Sequence, residues 1–129
     1  MTHRDEVEYL LKRSGEFQDT AQYQTDSGFY NLAAFSLEQS LQLFLKAKLL
    51  ENGVDYPRPH SVRILIEMLD KVIEEKHKII TKNFIDKYLL ELGMLEDAYI
   101  SSRYIIREFR KKEVEKLKKA VEAVIKNVP

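Results

Sequence analysis

The chain has 129 residues, of which 44% are hydrophobic and 33% are charged, and it contains no cysteine. This length is typical of one domain, which can bury enough surface to be stable without a metal or a cross-link. The lack of cysteine excludes disulfides, thiolate zinc sites and cysteine nucleophiles. Basic and acidic side chains number 21 each, and this balance argues against a general nucleic-acid coat protein.

The charge is unevenly distributed along the chain. Residues 1–99 contain 12 basic and 17 acidic side chains, whereas residues 100–129 contain nine basic and four acidic ones. The basic C-terminal quarter is compatible with a local anion site. No signal peptide is visible, and no apolar run approaches the length of a membrane span, so we expect a cytoplasmic protein with no membrane contact.

Apolar residues recur at three- and four-residue steps through almost the whole chain, which is the helical period. In the first half this pattern predicts helices over residues 5–24 and about 28–52. We expect Asp26 or Ser27 to cap the start of the second helix and Gly53 to end it. The second helix is apolar nearly all round, so it should be central or should present a second face to a partner.

In the second half the same period predicts helices over residues 60–77, 81–102 and 110–127. No segment alternates with the two-residue period of a strand. The sequence therefore predicts a single all-α domain over residues 1–129, folded as an antiparallel up-and-down bundle of four to five helices.

Few of the known chemical motifs occur. A glycine-rich phosphate loop and a serine elbow are absent from the sequence, and the Glu-x-x-His step, which helical metal sites need on two helices, occurs once, at Glu74–His77. We therefore expect neither a metal nor a cofactor.

Three polar features remain as candidate sites. Glu38, Gln42 and Lys46 follow at four-residue steps on one face of the second helix. They form either a solvated charge stripe with helix-stabilising contacts or, at Lys46, a phosphate contact at the edge of a dimer groove. His60 stands at the predicted entry to the third helix, where it is either a capping or packing residue or, since histidine titrates near neutral pH, a catalytic or phosphate-binding group.

The third feature is the stretch "RYIIREFR", which contains Arg103, Tyr104, Arg107 and Arg110. Guanidinium groups beside an aromatic ring suit a nucleotide or single-stranded RNA. Basic residues near a helix C-terminus also complement the helix dipole without any ligand.

The order of these elements resembles the HEPN domain family, a family of small helical proteins of prokaryotes and higher eukaryotes. The resemblance lies in "YNLAAFSLEQSLQLFLKAKLLENG", "PHSVRILIEML" and "LEDAYISSRYI", followed by an amphipathic helix. It implies a four- or five-helix bundle that pairs as a homodimer and has a role near nucleotides or RNA. It also implies a small nucleotidyltransferase partner in a toxin–antitoxin pair.

A subset of that family consists of metal-independent ribonucleases with an arginine and a histidine separated by four to six residues. No arginine of this chain has a histidine at that spacing. Without a histidine at this spacing, the chain has no evident general acid or base for RNA cleavage.

Three hypotheses follow. The first is a non-catalytic nucleotide- or RNA-binding module that forms a homodimer through the second or the last helix and acts with a nucleotidyltransferase. Its ligand contacts are Arg103, Tyr104, Arg107 and Lys46. The second is a ribonuclease toxin with an incomplete motif, in which Arg103 stabilises the phosphate and His60 transfers the proton. The third is a purely structural dimerisation bundle.

Overall fold

The computed structural model describes residues 2–56, 61–73, 82–101 and 107–129. Every regular element in these ranges is helical, and residues 82–87 form a helical stretch that meets the next helix at Tyr88. The predicted all-α bundle is confirmed. The five helices with defined bounds are α1 (His3–Asp26), α2 (Tyr30–Glu51), α3 (Val62–Val72), α4 (Leu89–Ser101) and α5 (Lys111–Asn127).

A glycine turn joins α1 to α2. Gly28 has a φ of +80°, and the N–H groups of Gly28 and Phe29 bond back to carbonyls in the last turn of α1 at 3.1 and 2.8 Å. This is the Schellman arrangement that ends helices at a glycine. The prediction that Asp26 or Ser27 caps α2 is therefore wrong, because Asp26 is the last residue of α1 and Ser27 its C-cap. The N-cap of α2 is Phe29, whose side chain makes no capping bond.

The end of α2 follows the prediction. Gly53 has a φ of +77°, and its N–H bonds to the carbonyl of Leu50 at 2.9 Å. The N–H of Val54 bonds to the carbonyl of Leu49 at the same distance, which completes a second Schellman turn.

The predicted third helix is longer than the one observed. Ser61 caps α3 by accepting a hydrogen bond from the N–H of Ile64 at 3.2 Å. Ile73 is only 7% exposed, so the apolar stripe does continue to this residue, but its backbone is extended. The prediction of helix through residue 73 is thus wrong, and residues 74–77 and the predicted start at residue 60 lie outside the described ranges.

The last helix begins one residue later than predicted. The carboxylate of Glu113 accepts the N–H of Arg110 at 2.9 Å and so satisfies one of the donors at the helix start. The predicted apolar face is buried through Val114, Leu117, Val121 and Val124.

Helix α2 lies at the centre of the bundle and contacts α1, α3, α4 and α5. Its face toward α1 contains small residues, which allow close approach. The hydroxyl of Ser14 donates to the carbonyl of Ser40 at 2.7 Å, and the hydroxyl of Ser40 donates to the carbonyl of Ser14 at 2.8 Å. Both serines are buried, so these bonds satisfy groups that water does not reach. The prediction of a central second helix is confirmed.

Within the described ranges, no helix is long and apolar enough to cross a membrane.

Candidate functional site

The described residues include two of the four predicted ligand contacts. Lys46 lies in the C-terminal half of α2, and Arg107 lies in the connection between α4 and α5. His60, Arg103 and Tyr104 lie outside the described ranges, so their proposed roles stay predictions. Among the residues that the structure describes, no group of three or more His, Cys, Asp or Glu side chains is arranged to hold a metal ion.

A chain of hydrogen bonds runs along α2 from Glu38 to Lys46. Nε2 of Gln42 donates to Oε2 of Glu38 at 2.8 Å, and Nζ of Lys46 donates to Oε1 of Gln42 at 2.9 Å. The predicted four-residue contacts are confirmed. The predicted solvated stripe is wrong for the first two members, because Glu38 is 1% and Gln42 is 7% exposed.

The burial of Glu38 explains the arrangement around it. A carboxylate removed from water is strongly destabilising unless donors surround it. Here the second oxygen, Oε1, accepts a hydrogen bond from Nε2 of Gln39 at 2.7 Å. Because Glu38 takes the amino end of the Gln42 amide, the carbonyl end of that amide faces Lys46. The buried acid therefore sets the direction of the whole chain and positions the lysine at its partly exposed end.

The ammonium of Lys46 also lies over an aromatic ring. Its Nζ is 5.0 Å from the centre of the Tyr56 ring, within the range of a cation–π interaction. Tyr56 packs against both apolar clusters of the bundle. The lysine is thus held from two sides, by an amide oxygen and by an anchored ring.

Arg107 bridges three parts of the chain. Its Nη2 donates to Oε2 of Glu113 in α5 at 3.3 Å, and its Nε is 3.7 Å from Oδ2 of Asp97 in α4. Its Cζ stacks 3.9 Å from the centre of the Phe109 ring. The remaining nitrogen, Nη1, is buried and has no hydrogen-bond partner among the described residues. These contacts give Arg107 a structural role at the junction of α4 and α5, and its role as a ligand contact stays a prediction.

Asn31 ties this junction to α2. Its Oδ1 accepts the backbone N–H of Phe109 at 2.7 Å, a contact between residues 78 positions apart. Asn31 and Glu38 are seven residues apart, so they share a helix face about 10 Å from each other along the axis. The α4–α5 connection therefore meets α2 on the face that contains the buried acid.

Sequence reasoning missed Asn31 and Asp97, and it gave Gln39 no separate role. Asn31 had a detectable signal, because it is a polar residue seven positions before Glu38 and the residues between the two are mainly apolar. Asp97 had no signal in the sequence, since the end of a helix and part of a connection separate it from its partner Arg107.

The fold and this site define a small helical-bundle domain with a buried, hydrogen-bonded acid on its central helix. The HEPN domain profile matches residues 7–129, nearly the whole chain, and the chain belongs to the HEPN domain family. Membership indicates a function related to nucleotides or RNA. None of the curated proteins compared with the chain matches it.

Proposed function

We propose that this protein is a non-catalytic binding module for a nucleotide or RNA, and that it acts with a small nucleotidyltransferase in a toxin–antitoxin pair. The observation that supports the binding role best is the chain from Glu38 through Gln42 to Lys46. It holds an ammonium in a defined place, and lysine binds phosphate as a point charge. Less ordering entropy is lost on binding when the cation is positioned beforehand.

The other proposed contacts lie in the α4–α5 connection. Arg103 and Tyr104 supply a guanidinium fork and a stacking ring on the evidence of their sequence. Arg107 has both a structural and a ligand role in this proposal, and its ion pairs with Asp97 and Glu113 make the structural role the larger one.

The absence of the ribonuclease spacing supports a non-catalytic role. No histidine follows an arginine with four to six residues between the two. His3 is the histidine that the described ranges contain, and it lies exposed at the first residue of α1. General acid–base catalysis by a positioned side chain typically contributes about 10²–10⁴ in rate, and this chain has no evident group for it.

A homodimer formed through α2 is part of the proposal. The incompletely buried positions of α2 include a row at three- and four-residue steps, which we call the α2 stripe: Leu32, Phe35, Gln39, Leu43 and Lys46. Leu32 is 54% exposed, and Phe35 and Leu43 are half-buried. The exposed face of α5 consists largely of lysine and would repel a second copy of itself. The apolar character of the α2 stripe therefore favours α2 over α5 as the dimer face.

The experiment that tests the binding role is thermal unfolding with and without ATP, GTP and an oligouridine RNA. A ligand at 100 times its dissociation constant stabilises the protein by about 2.7 kcal/mol. For a domain of this size that is a rise in the melting temperature on the order of 10 °C. We expect the rise with at least one ligand, a smaller rise in Lys46→Met, and the full rise in the control Lys12→Met, whose side chain is exposed on α1.

A melting temperature that none of these ligands raises would contradict the binding role and favour the hypothesis of a purely structural dimerisation bundle. The partner is tested separately, by capture of the tagged protein from its host at low and moderate salt. Recovery of a small nucleotidyltransferase is expected, and recovery of the protein alone would contradict the two-component proposal.

A further inference from the structure

The exposed face of α5 contains a row of lysines that the proposed site does not use. Helix α5 has six lysines and three glutamates, a net charge of +3. Five of the lysines are exposed, and four of these recur at steps of four, three and seven residues, which places the four on one face. We call this row the α5 lysine row: Lys112, Lys116, Lys119 and Lys126.

The α5 lysine row has no role in the packing of the bundle. The buried face of α5 is formed by Val114, Leu117, Val121 and Val124, and the row lies on the opposite side of the helix. Glu115 and Glu122 lie beside the row on the exposed face. Among the described residues, the ion pair formed by this face joins Glu122 to Lys118, a residue outside the row, at 3.8 Å.

The start of α5 is also unfavourable for stability. Arg110, Lys111 and Lys112 stand in succession at the N-terminal end, where the helix dipole favours acidic side chains. Glu113 is the acidic residue of the first turn. Residues that are unfavourable for the stability of their own helix are expected at functional sites.

We infer that the α5 lysine row binds the phosphate backbone of an RNA strand. The row extends over about 21 Å at 1.5 Å per residue, so it is longer than a mononucleotide and suits a strand. Ala123 is the residue that interrupts the row, and it offers almost no apolar surface. A protein partner would need an apolar contact area, in which lysine is depleted, whereas a nucleic-acid strand needs spaced cations.

This inference rests on the proposed nucleotide or RNA function and narrows its ligand to a strand. Lysine contacts to phosphate do not read bases, so binding should be insensitive to sequence and sensitive to salt. The same chemistry would accept single-stranded DNA, which is therefore one arm of the test.

The test is fluorescence anisotropy with labelled oligouridine, mixed-sequence RNA and single-stranded DNA, each of about 16 nucleotides, the upper end of the site sizes of strand-binding proteins. The triple variant Lys112→Gln, Lys116→Gln, Lys119→Gln is compared with Lys12→Gln, Lys71→Gln, Lys82→Gln. Both remove three exposed lysines, but the second set lies outside α5. Melting temperatures establish that both variants fold.

We expect the α5 variant to lose about tenfold or more in affinity at low salt, and the slope of log K against log salt to fall by about 2, since each phosphate contact contributes about 0.7. The control should keep most of its affinity. Equal losses in both variants would overturn the inference, because net charge alone would then explain binding. Unchanged binding in the α5 variant would also overturn it and would leave the proposed function intact.

Binding of ATP or GTP without binding of either RNA would refute the proposed RNA strand and would leave a nucleotide as the ligand of the proposed function. Binding of neither class would refute both proposals. Tighter binding of the DNA oligomer than of RNA would reject RNA as the strand.

Discussion

Gln42 donates its amide N–H to the buried carboxylate of Glu38 at 2.8 Å, one helical turn away. The two side chains are 7% and 1% exposed, so neither exchanges this contact for water in the folded state. A helix contact of this spacing is usually worth a few tenths of a kcal/mol at a surface. Burial makes this hydrogen bond more important for stability, because water cannot replace it when one of the two partners is lost.

The first prediction concerns this pair. Gln42→Leu should lower the free energy of unfolding by about 1–3 kcal/mol, because Glu38 loses a donor at a site that water does not reach. The matched control is Gln18→Leu in α1, a half-buried glutamine, and its effect should be within about 0.5 kcal/mol. Urea unfolding of both variants measures the difference, and similar values for the two would contradict the reasoning.

The second prediction separates the two roles of Arg107. Arg107→Met should lower the unfolding free energy by about 1–2 kcal/mol, since it removes the contacts to Asp97 and Glu113 and the stacking on Phe109. Arg110→Met, at an exposed position, should have a much smaller effect on stability. Ligand affinity measured well below the melting temperature then tests the other role. A loss in affinity beyond that of Arg110→Met would support a direct ligand contact.

The third prediction uses three glycines in different backbone settings. Gly28→Ala and Gly53→Ala should each destabilise the protein by about 1 kcal/mol, because φ values of +80° and +77° are unfavourable for a residue with a Cβ. Gly15→Ala should instead stabilise it by about 0.5–1 kcal/mol, since Gly15 is inside α1 and a Cβ there meets no atom within 4 Å. Thermal or urea unfolding gives the sign of each change, and the same sign at all three positions would refute the assignment.

The fourth prediction tests the dimer face. Leu32→Glu places a charge in the α2 stripe at a residue that is 54% exposed, so the isolated fold should tolerate it. We expect the variant to be monomeric in light scattering at concentrations where the unchanged protein is dimeric. Leu90→Glu in α4, at a residue that is 79% exposed, is the control and should stay dimeric. A monomeric unchanged protein, or a dimeric Leu32→Glu, would exclude this face.

The fifth prediction concerns catalysis. Purified protein should leave a broad panel of RNAs intact without added metal, because the arginine–histidine spacing of the ribonuclease subset is absent. If cleavage occurs and is lost in both Arg103→Ala and His60→Ala, the ribonuclease hypothesis replaces the non-catalytic one. Cleavage that persists in both variants would indicate a contaminating nuclease.

The helices themselves were largely predictable. The bounds of α1, α2 and α5 fall within three residues of the predicted ones because each has a continuous apolar stripe, and α1 and α2 each end at a glycine turn. The errors occurred where one residue is compatible with two different backbone positions. Ser27 resembles an N-cap but follows α1 directly and precedes Gly28, and Ile73 keeps its core position with an extended backbone.

The sequence by itself determined the all-α class, the central position of α2 and the four-residue spacing of Glu38, Gln42 and Lys46, because helical periodicity and spacing are local properties of the chain. Tertiary structure decided that Glu38 is buried rather than solvated, that Asn31 holds the backbone of Phe109, and that Arg107 pairs with Asp97 and Glu113. Burial and long-range pairing depend on which helix faces meet, and helices α1, α3, α4 and α5 all pack against α2. Local spacing does not specify which residues of α2 each of these helices covers, so the electrostatic character of the site is a property of the packed bundle.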